Sequence, residues 1–160
     1  MVTSMDVVVA FNWGWLIMAE YVYNPIQEVE SGQNVLLQDS IPCNKGYVIH
    51  RNGSGILTLR GIVNNPCATF ARYKVEFNGN IAIPTDGTAG EISLALAIDG
   101  EPIQTSRARV TPTVVDAYFN ITSVANITVP TGCCLTISVE NTSGININVQ
   151  NANLTIDRTA

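Results

Sequence analysis

Charged residues are scarce in this sequence. Only 13% of its 160 residues are Asp, Glu, Lys or Arg, and 46% are hydrophobic, whereas ordinary soluble domains carry about 25% charged residues. So few charges cannot readily cover the surface of a monomer. Hiding surface between subunits is the simplest remedy, because obligate interfaces resemble a protein core cut in half. The composition therefore predicts an oligomer built from one domain.

Basic residues are scarcer still. The chain has 8 Lys and Arg against 13 Asp and Glu, for a net charge of -5, and its pI is about 4.6. A protein that binds the phosphate backbone of a nucleic acid needs a basic stripe. The charge balance therefore argues against nucleic acid as a partner.

Catalytic and metal-binding motifs are also missing. His50 is the only histidine, Ser54 stands in no Gly-x-Ser-x-Gly motif, and no Cys-x-x-Cys pair occurs. Nucleophilic catalysis and zinc sites need these groups at defined spacings. We expect His50 to be structural, and the sequence predicts a protein that is not an enzyme and has no cofactor or metal.

An apolar N-terminal arm, residues 1–18, precedes the rest of the chain, residues 19–160. The arm contains no basic residue, which a secretory signal requires, and its apolar stretch is shorter than the roughly 20 residues of a membrane span. Three interpretations stay open: a strand exchanged with a neighbouring subunit, an extra strand or stalk at the base of its own oligomer, or a dispensable extension before Met18. The residues that would mediate attachment are Val8, Phe11, Trp13, Trp15 and Leu16.

From about residue 47 to residue 160, apolar and polar residues alternate as they do in strands. Helical periodicity is absent over any stretch of similar length. In residues 72–77, Tyr73, Val75 and Phe77 share one face and three charged residues share the other. Glycine-rich turns at residues 52–55 and 99–100 predict hairpins. Further strands are predicted at residues 21–23, 33–38, 47–51, 56–60, 81–83, 91–98, 118–122, 126–129 and 133–140. Asn78-Gly79 is predicted to turn or bulge the chain before the strand at 81–83.

Two details of the alternation make further predictions. Apolar positions are odd-numbered at Ile147 and Val149 but even-numbered at Leu154 and Ile156, so a one-residue β-bulge is predicted between Gln150 and Asn153. In residues 91–98 the side chains of the second face are small and uncharged. We expect this face to be covered, for example by a neighbouring subunit. Eight to ten short strands of this kind predict an all-β antiparallel sandwich or jelly roll.

The four cysteines allow two interpretations. Cys43 and Cys67 lie in predicted loops and could form a disulfide, whereas Cys133 and Cys134 are neighbours that point to opposite faces of a strand and cannot pair without strain. Alternation places Cys133 in the core and Cys134 on the surface, where it could meet another subunit. The alternative is four reduced thiols.

From Tyr21 to Ala160 the order of segments resembles the trimeric jelly roll shared by tumour necrosis factor (TNF) and the complement globular head. Residues 70–77, 94–103 and 127–139 carry this resemblance. Residues 23–27, 51–55 and 148–154 are similar to small proteins of spore-forming bacteria and their phages, such as spore-surface tips and decoration or fibre heads. No collagen-like Gly-x-y repeat is present, which departs from the spore-tip and complement architectures.

The resemblance implies a homotrimer that associates through one sheet. Candidates for contacts along the trimer axis are Tyr21, Tyr23, Tyr73, Tyr118 and Phe119. We expect a structural protein displayed outside the cell, on a virion or on a bacterial or spore surface, with the arm joining it to its neighbours or to a carrier protein. The alternative is an adhesion module whose end loops bind a glycan or receptor.

Overall fold

The computed structural model describes residues 17–43, 45–63 and 65–160. These residues form twelve β-strands and one 3-10 helix (Gln104–Ser106). The strands are β1 (Ile17–Tyr23), β2 (Gln27–Val29), β3 (Gln38–Ile41), β4 (Val48–His50), β5 (Leu57–Arg60), β6 (Phe70–Ala82), β7 (Ile92–Ile98), β8 (Glu101–Pro102), β9 (Ala108–Val110), β10 (Phe119–Pro130), β11 (Cys134–Asn141) and β12 (Ile147–Arg158). Nothing helical in these ranges has the length and apolarity needed to cross a bilayer.

The strands form two antiparallel sheets that enclose one hydrophobic core. The first sheet has the order β10-β6-β12-β1-β3, with β2 added to β12, and the second has the order β4-β5-β11-β7-β8, with β9 added to β7. Chain neighbours such as β10 and β11 therefore lie in different sheets. This topology confirms the predicted antiparallel jelly roll.

Alternation along each long strand builds the core. In β6, Tyr73, Val75 and Phe77 are fully buried, as predicted, while the charged residues between them are exposed. β10 and β12 alternate in the same way. Because successive side chains of a strand point to opposite faces, each long strand supplies one apolar row to the space between the sheets.

The predicted turns and the bulge are present. Asp99 and Gly100 both adopt positive φ, at 50° and 86°, as a tight turn between β7 and β8 requires. The residue 52–55 turn joins β4 and β5, which pair antiparallel. The register of β12 against β6 shifts between Gln150 and Asn153, and Asn151 there has φ of 55°.

Three strand predictions are corrected. Residues 78–79 do not turn the chain, because Asn78 and Gly79 pair with β10 and keep β6 continuous over 13 residues. Residues 118–122 and 126–129 are likewise parts of one strand, β10. Residues 33–37 are not a strand, and only Asn34 makes an isolated bridge, to Glu140. In the first two cases pairing with neighbouring strands overrides the local turn preference, and in the third the segment has no continuous ladder that would make it a strand.

The small face of β7 is covered within the subunit, which corrects the expectation of a neighbouring chain. Ser93, Ala95 and Ala97 are at most 4% exposed. The backbone N–H of Ser93 donates to Ser143 Oγ at 2.8 Å, and the Ser106 hydroxyl oxygen accepts a hydrogen bond from the N–H of Leu96 at 3.0 Å. The segment after β11 and the 3-10 helix therefore lie against β7 within the same subunit, and the hydroxyl groups of Ser93 and Thr142 are 2.6 Å apart.

Candidate functional site

His50, the one histidine of the sequence, lies within ion-pair distance of Asp39. Its Nδ1 lies 2.6 Å from Asp39 Oδ1 and its Nε2 lies 2.8 Å from the carbonyl oxygen of Ser54. Its ring packs edge-on against Tyr21, with ring centroids 4.7 Å apart. The His50 side chain is only 1% exposed. Both ring nitrogens are occupied by the protein itself, so His50 ties β4 to β3 and to the turn that follows.

A cavity of about 330 Å³ lies beside this pair and is lined in part by Tyr21, Asp39, Cys43 and His50. Chemistry in this cavity would need a base with a free lone pair or a set of metal ligands. Across the described ranges, no three His, Cys, Asp or Glu residues are grouped so that they could hold a metal ion. His50, Asp39 and Tyr21 therefore pack and hydrogen-bond together and hold β1, β3 and β4 to one another.

The first candidate surface is the free edge of the first sheet. Among the strands of the described residues, β10 is the terminal strand of that sheet, and its one ladder partner is β6. Its 12 residues include no charged side chain. Phe119 is 41% exposed and Val124 is 39% exposed. We call β10 with its outward side chains the free-edge surface.

Amide side chains extend this surface onto the face of the first sheet. Asn120 Nδ2 donates to Asn78 Oδ1 at 2.8 Å and to Asn80 Oδ1 at 3.1 Å. These residues pair across β10 and β6. Around Asn120 the face next to the edge is therefore polar but neutral, so a neighbouring chain could approach this part without removing charges from water. Farther along β6 the face carries the exposed charges of Arg72, Lys74 and Glu76.

The five aromatic residues predicted at the interface divide into two groups. Tyr21 is 1% exposed and Tyr73 is 0% exposed, so both belong to the core of their own subunit and not to an interface. Tyr73 Oη donates to the carbonyl oxygens of Arg60 and Tyr47. Tyr23 and Tyr118 are half-buried and Phe119 is exposed, so these three stay predictions.

Burial changes the acidity of the two core tyrosines. It raises the pKa of Tyr21 to about 12, with Asp39 and Cys43 adding to the effect. It also raises the pKa of Tyr73 to about 12, although the Arg158 guanidinium acts in the opposite direction. Both phenols are therefore neutral structural groups at physiological pH.

The second candidate surface is one end of the sandwich, where the β3–β4 and β5–β6 connections meet the β10–β11 turn. The N–H of Gly61 donates to the carbonyl oxygen of Cys133 at 2.8 Å, and the N–H of Thr131 donates to that of Thr69 at 3.0 Å. Arg60 Nη1 donates to the carbonyl oxygen of Gly46 at 3.1 Å. We call this region the thiol end, because these three connections and the first residue of β11 contain all four cysteines.

All four cysteines are free thiols in the structure, as in the second interpretation, and no disulfide joins Cys43 to Cys67. Cys43 is half-buried and packs against the core, while Cys67, Cys133 and Cys134 are exposed. The core position predicted for Cys133 is wrong, because β11 begins only at Cys134 and Cys133 belongs to the turn before it. The surface position predicted for Cys134 is confirmed.

The predicted arm residues Val8, Phe11, Trp13, Trp15 and Leu16 lie outside the described residues. β1 begins at Ile17, which pairs with Arg158 at the end of β12. β12 ends where β6 begins, since Arg158 also pairs with Tyr73. The described chain therefore begins at the thiol end.

No protein-family model matches this chain, and no curated protein matches it. Among solved structures, the chain is similar to the Eiger TNF of S. frugiperda, with 13% identity, a TM-score of 0.61, and 91% of this chain and 93% of that chain covered. Murine APRIL is also similar, with 12% identity, a TM-score of 0.58, and 90% of this chain and 99% of that chain covered. For the globular domain of the zebrafish complement 1qA protein the identity is 10% and the TM-score 0.50, with 89% and 95% covered.

These likenesses define the class of fold. The chain is a TNF-like jelly roll, and the resemblance to TNF and the complement globular head is confirmed at the level of fold. Fold alone does not specify function, which depends on the surfaces that the fold carries.

Proposed function

We propose that this protein is a non-enzymatic structural module that assembles as a homotrimer, with the free-edge surface of each copy covered by a neighbouring copy. In this proposal the trimer is displayed on a virion or on a bacterial or spore surface, and the N-terminal arm attaches it to neighbours or to a carrier protein. The observation that carries the proposal is the long, uncharged, open edge of β10.

An open strand edge presents unpaired N–H and C=O groups that invite pairing with another chain. Natural proteins protect such edges with charged side chains, proline, bulges or short strands. β10 is 12 residues long and uncharged, and its proline, Pro130, stands only at its last position. Val124 and Phe119 add exposed apolar area to the edge. A neighbouring copy would protect the edge and remove apolar surface from water, at about 25 cal/mol per Å².

Two further observations support the proposal. The low charge content leaves the chain few alternatives for covering its surface. The fold is similar to that of TNF and complement head domains. The sequence resemblance to the same domains implies a trimer. Display on a virion or spore is supported by the resemblance of residues 23–27, 51–55 and 148–154 to proteins of spore-forming bacteria and their phages.

We expect Phe119→Lys to dissociate the assembly. A lysine at this position would place a charge on the covered edge opposite Ile81, where no carboxylate stands across the strands, and burying an unpaired charge is strongly unfavourable. Light scattering after size-exclusion chromatography should give three times the chain mass of 17.2 kDa for the wild type and one chain mass for the variant. Ile49→Lys is the matched control, because Ile49 is 52% exposed on β4 of the second sheet, and it should leave the trimer intact. A wild-type monomer at micromolar concentration would refute the proposal.

The role of the arm is tested separately by electron microscopy. If the arm connects particles, the full chain should form filaments or clusters, and a form without residues 1–16 should give discrete particles. Identical micrographs would exclude the arm as a connector without affecting the trimer.

A second function, glycan or receptor binding, is favoured by one cavity. A cavity of about 220 Å³ is lined by Ser31, Arg107, Glu140, Thr142 and other residues. Arg107 Nε is buried and has no hydrogen-bond partner among the described residues, and burial together with Glu101 raises the pKa of Glu140. Hydroxyl, carboxyl and guanidinium groups suit a polyhydroxylated ligand. Glycan-array binding by the full chain, lost in Arg107→Ala, would favour this function over a purely structural one.

A further inference from the structure

The cavity of about 220 Å³ that favours glycan binding lies on the second sheet, between Glu140 and Arg107. Glu140 of β11 pairs with Ala95 of β7, and Ala108, the neighbour of Arg107, pairs with Leu94 of β7. Leu94 belongs to the core, so Ala95 and Glu140 lie on the outer face of the sheet. Because the side chain of Ala95 is small, the longer side chains of Glu140 and Arg107 stand on either side of β7 with a space between them.

The hydroxyl and amide groups that line this cavity bind neighbouring groups of the protein. Ser31 Oγ donates to the carbonyl oxygen of Ser143 at 2.5 Å, and Thr142 Oγ1 lies 2.6 Å from Ser93 Oγ. Asn141 Nδ2 donates to two backbone carbonyl oxygens, at 3.0 and 2.9 Å, and Asn141 Oδ1 accepts the N–H of Ser143 at 2.9 Å. This part of the wall is therefore held in place before any ligand arrives, which lowers the cost of binding.

The two charged side chains of the lining are the groups left for a ligand. Among the described residues, neither Arg107 nor Glu140 takes part in an ion pair or a side-chain hydrogen bond. Arg107 Nε is buried without a partner, although buried donors are almost always paired. Burial raises the pKa of Glu140, and Glu101 adds to the effect. A cation beside the Glu140 carboxylate would therefore stabilise its ionised form.

The balance of charge favours one kind of ligand. Against the Arg107 guanidinium stand two carboxylates, that of Glu140 and that of the nearby Glu101. The carboxylates would repel an anion, and a neutral sugar would leave the excess negative charge in place. An ammonium group would offset this charge and donate to Glu140, while a hydroxyl oxygen next to it would accept from the guanidinium. The cavity volume of about 220 Å³ is below the roughly 300–1,000 Å³ of sites for drug-sized ligands and suits one sugar ring.

We propose that this cavity binds one 2-amino sugar with a free amino group, with the ammonium at the Glu140 carboxylate and a neighbouring hydroxyl oxygen at the Arg107 guanidinium. The inference rests on the second function proposed above, glycan binding, and names the class of glycan that the cavity selects. It does not depend on the trimer. Hydrogen bonds between charged groups are about twice as strong as neutral ones, so acetylation of the amine, which removes its charge, should weaken binding.

The experiment titrates glucosamine, glucose and N-acetylglucosamine into the full chain at neutral pH, followed by saturation-transfer NMR. Glucosamine should bind at least about tenfold more tightly than the other two sugars, because its ammonium forms charge-assisted hydrogen bonds. Glu140→Gln keeps the shape of the side chain and removes its charge, so its affinity for glucosamine should fall to that for glucose. Glu91→Gln is the matched control and should retain the preference, because Glu91 lies outside the cavity lining and beside Arg109.

Three results would overturn the inference. They are equal affinity of the wild type for the three sugars, a preference for glucosamine that persists in Glu140→Gln, and equally tight binding of ethanolamine, which has the amine but no sugar ring. The first result would leave glycan binding in place, whereas no binding of any sugar would refute glycan binding at this cavity as well. The comparison of sugars on the wild type needs no variant to fold, and light scattering of the same samples reports the trimer separately.

Discussion

Replacing Gly61 by alanine is expected to remove most of the folding stability of this protein. An added Cβ at Gly61 would lie 1.9 Å from the carbonyl oxygen of Pro130 and 2.9 Å from its carbonyl carbon. Both are backbone atoms, so no side-chain rotation can relieve the clash. The N–H of Gly132 also donates to the carbonyl oxygen of Gly61 at 3.0 Å. The loss of unfolding free energy should be at least about 3 kcal/mol, measured by urea denaturation.

The chain offers a matched control for this substitution. Gly90 also lies between strands, but an added Cβ there would have no atom within 4 Å, and its φ is not positive. Gly90→Ala should be neutral or should stabilise the protein by about 0.4–1 kcal/mol, because alanine restricts the unfolded chain. Equal destabilisation by both substitutions would contradict the close approach at Gly61. The comparison also tests the thiol end, since Gly61 holds the β10–β11 turn against β5.

The second large effect is a loss of stability at alkaline pH. Tyr21 and Tyr73 have their pKa raised from 10.0 to about 12 in the folded chain. In the unfolded chain each phenol loses its proton near pH 10, whereas the folded chain retains it. The stabilisation is therefore complete below pH 10 and is lost as the pH rises through the folded pKa of about 12. Each tyrosine contributes roughly 2–3 kcal/mol to this decline.

The measurement is urea denaturation at a series of pH values below and above 10, followed by far-ultraviolet circular dichroism. Tyr73→Phe should decline less steeply above pH 10 than the wild type, because one of the two buried phenols is gone. At neutral pH the same variant should be less stable, since it loses the hydrogen bonds to the carbonyl oxygens of Arg60 and Tyr47. An unchanged alkaline slope in both Tyr73→Phe and Tyr21→Phe would show that these phenols do not control the transition.

Local features were predictable from sequence because their causes are local. The alternation of Tyr73, Val75 and Phe77 predicts a half-buried strand whichever partner it finds. The parity change before Leu154 predicts the bulge in β12, because only an extra residue can return apolar side chains to the same face. The turn at residues 99–100 needs positive φ, which its sequence tolerates.

Features that depend on strand neighbours were not predictable in the same way. Asn78 and Gly79 form a common turn pair, yet β10 and β12 flank β6 and keep it extended. From sequence alone Tyr21 and Tyr73 were candidates for an interface, but in the structure both are buried in the core between the two sheets. The absence of charge in residues 119–130 is visible in the sequence, but only the sheet order shows that this segment is an open edge.

The sequence alone determined that apolar and polar residues alternate along strands, that glycine-rich turns separate the strands, and that the strands form a two-layer β structure. It also determined that the charges are too few to cover a monomer. Those properties follow from side-chain polarity and backbone preference, which act over a few residues. Only the tertiary structure decided which strand is an edge, which tyrosines are buried and which loops share an end. Such properties arise when segments distant in sequence, such as the β5–β6 connection and the β10–β11 turn, are brought together by strand pairing, and no local pattern encodes that pairing.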